Sequence, residues 1–518
     1  MLVIANIYFN QHNLKPKPHI GVEALLPSMW VRKDTLTNML HQIFFRHLCL
    51  ILIFLAGATQ LSAVQIELPE LGGSTSAIVS IEQERQLGQS WLRSFRSQAD
   101  IDEDYIIQEY TENLIYSMLP NASLADSNID VLIVNNPSLN AFAVPGGVLG
   151  VNTGLFLYAQ TEDQLCSVLA HELAHLKQRH FARSVQEQKG STITTMAGIL
   201  ASVILAATAG SDAGLAALAA SQSLALESRL SYSRQNEQEA DRIGLEILAK
   251  SGRDPNAMTG MFEQMLKATR FSGYRAPEYL SSHPLTESRV NDAGNRARQF
   301  SPRIFEPSPN YQLIQTRIRV ALASSAQQAA HEMSLKYENN PTRANQYGLA
   351  LAYSRSLKTE EALAISKSLY SKEPSNQLLA LLYTDALSAA GKTSEAKELL
   401  LKHLRFKPRS YSLNMALAQI HIHESEYEKA TNLYRTLSKQ RPNDVLVWYE
   451  YSEALGLAGK ILELHKSRAQ YFTLIGAYQR AIRQLQYAKK EATGDGIELA
   501  ILDKRISDTA RLLSNSAF

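Results

Sequence analysis

Four prolines, Pro341, Pro374, Pro408 and Pro442, are spaced by 33, 34 and 34 residues. Twelve residues before each stands an alanine, at Ala329, Ala362, Ala396 and Ala430, closing the segments SAQQA, KTEEA, KTSEA and EYEKA. A fixed period of this length means a supersecondary unit that buries its apolar face only against the next copy. The alanine admits a close helix–helix contact, and the proline, which has no N–H to donate, ends the second helix of each pair. A later GAYQRA places Ala481 in a similar setting, off the regular spacing. The C-terminal region is therefore constrained to an α-solenoid of helix pairs.

A 34-residue helix-pair period with these signals is that of tetratricopeptide repeats, assigned to residues 306–518. The remaining chain is long enough for at least one further core. Its composition is that of an ordinary globular protein, 45% hydrophobic and 20% charged. A net charge of +2 gives no case for nucleic acid as a partner. Of the two cysteines, Cys49 falls in a leader and Cys166 beyond it, so the mature chain forms no internal disulfide.

That leader is read over residues 39–63. Arg46 precedes the apolar run Leu48–Ala58, and small residues lead to Leu61-Ser-Ala63, the three regions of a secretory signal peptide. The apolar run is too short for a membrane span, which needs about 20 residues. Ala58 stands where a lipoprotein needs cysteine. Residues 1–38 precede a second start at Met39 and read as a non-native extension.

Residues 64–305 are expected to form a second domain. Helices are predicted over Glu82–Arg96 and 105–119, strands at Asp130–Val134, Asn140–Val144 and Val148–Val151, and a turn at Pro145-Gly-Gly147. A capping box at Thr161-Glu-Asp-Gln164 then starts a helix that carries His171-Glu-Leu-Ala-His175. Residues 171 and 175 lie one turn apart on one face, the geometry for two imidazoles to grip one metal. His180, five residues past His175, is expected off that face and in solvent. The long uncharged stretches Gly190–Ser211 and Ala213–Leu226 show bulky residues at 3–4 spacing between Ile193 and Ile204. They read as an amphipathic hairpin, with peripheral membrane contact through 193–226 left open.

A catalytic metal site needs a third protein ligand and an open position. A third histidine six residues past the second would extend the motif, but Phe181 stands there. Glu237 and Asp241, four apart on a later helix, project from one face, so one can reach a metal while the other accepts a ligand histidine's outer N–H. Alone this is a charged helix face, to which Glu239 belongs.

Together HELAH, Asn140-Ala-Phe-Ala-Val-Pro-Gly-Gly147, Glu237-Gln-Glu-Ala-Asp241 and Ser282-His-Pro-Leu-Thr-Glu-Ser-Arg289 resemble the HtpX-like and CAAX-prenyl-protease-like zinc metallopeptidases. The leader and repeats narrow the likeness to the periplasmic, repeat-bearing branch of that family. The resemblance implies a gluzincin-like, mainly α (α+β) peptidase domain with a small sheet, followed by the repeats. It implies one Zn2+ held by His171, His175 and Glu237, with Glu172 as general base and Asp241 in support. His283 and Arg289 match positions near the metal; either can stabilise an oxyanion, and His283 can also occupy the open position and silence the enzyme. Asn140, Ala141, Phe142 and Ala143 match an edge strand that takes substrate backbone by strand addition.

The implied function is a zinc endopeptidase with chaperone-like activity. It promotes assembly of outer-membrane β-barrel proteins and degrades stalled ones, with the β-barrel assembly machinery engaged through the repeats. Two alternatives stay open: a repeat-based chaperone or adaptor with a latent protease, and a membrane-associated prenyl-protease-like enzyme.

Overall fold

In the computed structural model, which describes residues 80–187, 234–271 and 278–514, the predicted elements are present. The extension at 1–38, the leader at 39–63 and the 193–226 stretch lie outside the described residues. The first helix, α1 (Ile81–Arg96), opens on a capping box between Ser80 and Gln83 and buries Trp91, Leu92 and Phe95. Next, α2 (Tyr105–Ala122) is capped by Asp104 and buries Ile106, Ile107, Leu114, Ile115 and Met118. The strands β1 (Asp130–Val134), β2 (Ala141–Val144) and β3 (Val148–Asn152) form a sheet of order β1-β3-β2. Pairing is parallel between β1 and β3 and antiparallel between β2 and β3. Among the described residues β2 therefore has one strand neighbour and no strand on its outer side. Phe142 turns off this strand onto Trp91 and Phe95, its ring 5.7 Å from each. Only glycine fits beneath it at position 150, where a Cβ would lie 2.1 Å from the ring.

Behind the sheet come α3 (Thr153–Tyr158), α4 (Glu162–Gln178), α5 (His180–Glu187), α6 (Arg234–Lys250), α7 (Asn256–Phe271), α8 (Glu278–Ser282) and α9 (Glu287–Ala297). The repeat region follows as α10 (Tyr311–Ala321), α11 (Ala326–Asn339), α12 (Arg343–Arg355), α13 (Thr359–Lys372), α14 (Gln377–Ala389), α15 (Thr393–Leu404), α16 (Tyr411–His423), α17 (Tyr427–Gln440), α18 (Val445–Leu457), α19 (Ile461–Leu474), α20 (Tyr478–Glu491) and α21 (Gly496–Ser514). The period-marking alanines 329, 362, 396, 430 and 481 are all buried, and each period-marking proline follows the end of a helix. The irregular step from Ala430 to Ala481 has a packing cause. Position 464, one period past Ala430, holds buried Leu464, which packs against Gly456; a Cβ on that glycine would come within 2.9 Å of the leucine. The small residue has moved to the partner helix. No described helix is long and apolar enough to cross a membrane.

Each of four successive turns carries a residue with positive φ: Leu357 at 63°, Gly391 at 72°, Ser425 at 59° and Gly459 at 70°. Leu357 is strained there and 86% exposed, so its side chain contributes little in return. Leu357→Gly is expected to stabilise the fold by about 1 kcal/mol, the usual cost of a left-handed L-residue less the added freedom of the unfolded chain. A thermal or urea midpoint that stays unchanged or falls would contradict this.

The repeats pack around α2. Glu109 accepts from Tyr411 N at 2.7 Å, from Gln377 Nε2 at 2.9 Å and from the Ser410 and Ser412 hydroxyls. Glu112 pairs with Arg441 through both oxygens, and that guanidinium lies 4.0 Å over the Tyr411 ring. Tyr311 and Gln315 of α10 donate to the carbonyls of Phe156 and Ala159. One apolar core runs from α2 through α4, α6 and α7 into α16.

Candidate metal centre

Helix α4 brings in the first half of the site. Thr161 caps it by accepting from Gln164 N, whereas the Gln164 side chain takes the Gln160 N–H at 2.7 Å and not that of Thr161. The predicted box is thus half-formed, displaced by one residue. Glu162 and Asp163 meet the helix N-terminus and also hold Arg253, at 3.0 and 2.9 Å. Helix α6 crosses α4 at Gly244, where a Cβ would sit 3.0 Å from His171 N; this close approach delivers the acidic face of α6 to the two histidines.

His171, His175, Glu237 and His283 each direct one donor atom into a common space, all within 4.8 Å of one another. The Nε2 atoms of His171 and His175 are 2.9 Å apart, and Glu237 lies 3.6 and 3.4 Å from them. His283 Nδ1 is 3.1 Å from Glu237 Oε1. All four are at most 2% exposed. Glu172 is fully buried beside them with neither carboxylate oxygen hydrogen-bonded, its nearest basic neighbour being His283 Nε2 at 3.6 Å. Converging imidazole nitrogens, one carboxylate ligand and an orphaned buried carboxylate fit a divalent cation with a polar reactant next to it.

The surrounding charges are tightly arranged. Arg289, from the first turn of α9, places Nε and Nη2 on the two oxygens of Asp241 at 2.7 and 2.8 Å. Its Nη1 faces Glu237 at 2.8 Å and donates to Pro284 O. Asp241 in turn lies 3.0 Å from His171 Nδ1, out of line for a full hydrogen bond. Burial would raise Glu237 and Asp241, but His283, His171 and His175 hold Glu237, and Arg289 with His171 holds Asp241, below the usual carboxylate range. Burial, with the Glu237 charge adding to it, pushes the Glu172 carboxyl upward against the opposing pull of His283, His171 and the Tyr279 hydroxyl. His171, which burial would lower, is raised to about 9 by Asp241 and Glu237, while burial keeps His175 well below the usual imidazole range.

The sequence-predicted residues are thus brought together, with two differences. First, Arg289 is committed to carboxylates through all three nitrogens, which leaves it poorly placed to serve an oxyanion. Second, His180 is not in solvent but fully buried, its Nδ1 2.8 Å from His175 Nδ1 and its Nε2 3.1 Å from Glu239 Oε2. On a continuous helix a residue five along points about 140° away. Here α4 stops at Arg179, whose left-handed φ of 51° and ψ of 40° turn the chain so that α5 starts beneath His175. A left-handed arginine costs about 1–2 kcal/mol, and it is held by an ion pair to buried Glu84 at 3.0 Å.

Sequence reasoning also passed over Tyr279 on α8. Its ring stacks on His283 at 4.5 Å, and its N–H donates to Leu139 O next to the edge strand. The segment bearing His283 is thereby fastened over the site. Of the predicted substrate-binding stretch, Asn140 and Ala141 are buried, Phe142 packs inward, and Ala143 lines a pocket with His175, Leu176 and Phe181.

The match to known proteins follows these elements. The profile of Peptidase family M48 covers residues 106–297. The β-barrel assembly-enhancing protease of Escherichia coli (strain K12) is 32% identical over 448 residues, spanning 86% of this chain and 91% of that protein. Its namesake from Yersinia pestis is 31% identical over 86% of this chain and 92% of the relative. A mitochondrial metalloendopeptidase, OMA1 of Arabidopsis thaliana, is 31% identical over 31% of this chain and 30% of its own length. This chain therefore belongs to the β-barrel assembly-enhancing proteases, metallopeptidases of family M48.

Proposed function

We propose that the protein is a zinc endopeptidase of the periplasm that acts on outer-membrane β-barrel proteins. It assists their assembly and degrades those that stall, while its repeats engage the clients or the assembly machinery. His171, His175 and Glu237 hold the ion, Asp241 and Arg289 fix the ligands, and Glu172 is the general base. The observation that carries this is the orphaned Glu172 carboxylate, buried against three converging ligand side chains. Zinc, when bound there, supplies Lewis acidity to a carbonyl and acidifies water. Glu172 takes the proton from the attacking water, holds it on a carboxyl that burial already pushes upward, and returns it to the leaving amine. Among the described residues β2 has no strand on its outer side, which supports strand addition of an extended substrate next to Asn140–Ala143. Metal analysis of the purified chain is expected to give one zinc per chain, lost in His171→Ala; a metal-free parent that still cleaves would overturn the reading.

A specific observation favours latency as a second element. Every donor is nearly inaccessible, and His283 stands among them as a fourth. We take His283 as a latch at rest, so that His283→Ala raises cleavage of an unfolded protein severalfold. Equal or lower cleavage by this variant, with zinc retained, would remove the latch.

A further inference from the structure

His175 has two faces, and only one belongs to the metal site. Its Nε2 looks toward His171 and Glu237, while its Nδ1 meets His180 Nδ1 at 2.8 Å. Two imidazole nitrogens at that distance share one proton: one must donate and the other accept. The far side of His180 decides which. Its Nε2 lies 3.1 Å from Glu239 Oε2, an atom also held by Arg183 Nη1 at 3.0 Å, and a carboxylate accepts. The His180 proton therefore sits on Nε2, its Nδ1 presents a lone pair, and His175 Nδ1 carries the donated hydrogen. That leaves the His175 Nε2 lone pair aimed into the donor cluster.

We propose that His180 is a positioning residue for the metal site, the middle of a relay Glu239–His180–His175 that fixes the tautomer and ring orientation of one ligand. The two histidines of the motif are thus supported differently. His171 is backed directly by a carboxylate, Asp241, whereas His175 is backed by a neutral imidazole with a carboxylate behind it. The left-handed Arg179 is what makes the arrangement possible, because without that turn His180 cannot reach beneath His175. The chain of contacts also runs outward: His180 is fully buried, while the Glu239 side chain is 36% exposed. One end of the ligand's support is therefore at the protein surface.

The proposal rests on the reading of His175 as a zinc ligand, and the test separates the two. The zinc dissociation constant of the full-length chain is measured by competition with a chromogenic chelator, alongside the melting temperature of each metal-free protein. His180→Phe keeps a ring but offers no acceptor, and weakens zinc binding about 10- to 100-fold, the usual effect of losing a ligand's outer partner. His180→Asn places a carbonyl oxygen near the Nδ1 position and restores affinity to within a few-fold of the parent. Glu239→Ala changes a partly exposed side chain and so tests the relay even if the Phe variant does not fold; it weakens zinc binding severalfold. Parental affinity in folded His180→Phe or in Glu239→Ala overturns the relay, as does an Asn variant no better than Phe. A parent that binds no zinc overturns the metal-site reading itself, with all variants alike.

Discussion

Glu172→Gln is expected to retain zinc and lose cleavage, with kcat falling by about 10²–10⁴-fold, the range for removing a positioned proton acceptor. The substitution is close to isosteric and enters a pocket where neither carboxylate oxygen has a hydrogen bond of full geometry, the Tyr279 hydroxyl being a weak partner that an amide oxygen can keep. Burial already disfavours the charged form of this group, so the neutral amide leaves the metal-free fold no less stable than the parent. Three readouts follow from one variant: zinc content near the parent's, an unchanged or higher melting temperature, and no turnover of an unfolded protein. Cleavage above a tenth of the parental rate would dismiss Glu172 as the base. The same variant separates enzyme from adaptor, because full rescue of barrel maturation in cells would assign that role to the repeats.

Arg289→Leu carries the largest expected loss of stability. The guanidinium is 3% exposed and serves two buried carboxylates at once, Asp241 through two bonds and Glu237 through a third contact. Removing one partner from such a cluster strands the others, at a cost of about 3–5 kcal/mol. Lysine is expected to rescue little, since its single ammonium cannot reproduce a two-pronged contact to Asp241 while reaching Glu237. The loss is to be read from urea unfolding of the metal-free proteins. Added zinc should return part of it, by binding only the folded state. A difference below 1 kcal/mol, on the scale of an exposed ion pair, would show that the cluster is not a stabilising hub.

The solenoid was legible because a strict period reports a contact made again and again: each alanine has one reason to be small, and the reason recurs. The four-residue spacings were legible for a like reason, since helical geometry alone puts 171 with 175 and 237 with 241. What escaped were features set by single backbone torsions or by tertiary partners. No local signal marks Arg179 as left-handed, so His180 was assigned by helical periodicity to the wrong side. Gln164 chose Gln160 over Thr161 through a one-residue shift at the helix start, below the resolution of a pattern. Leu464 broke the alanine rule because its compensation, Gly456, lies on another helix. Arg289 was recognised by its motif, yet its engagement with two carboxylates depends on where α6 and α9 meet.

The seating of α2 has a practical consequence for anyone who cuts this chain. A fragment ended before α10 keeps every residue of the metal cluster, yet it loses the side chains that occupy the Phe156 and Ala159 carbonyls. It also strips the counterparts from Glu109 and Glu112 and uncovers an apolar flank one helix away from Glu172. The repeats are therefore as much a buttress of the peptidase core as an appendage to it. An inactive excised peptidase would then reflect a missing buttress as readily as a missing client, and grafting either half onto a foreign partner means rebuilding that seam.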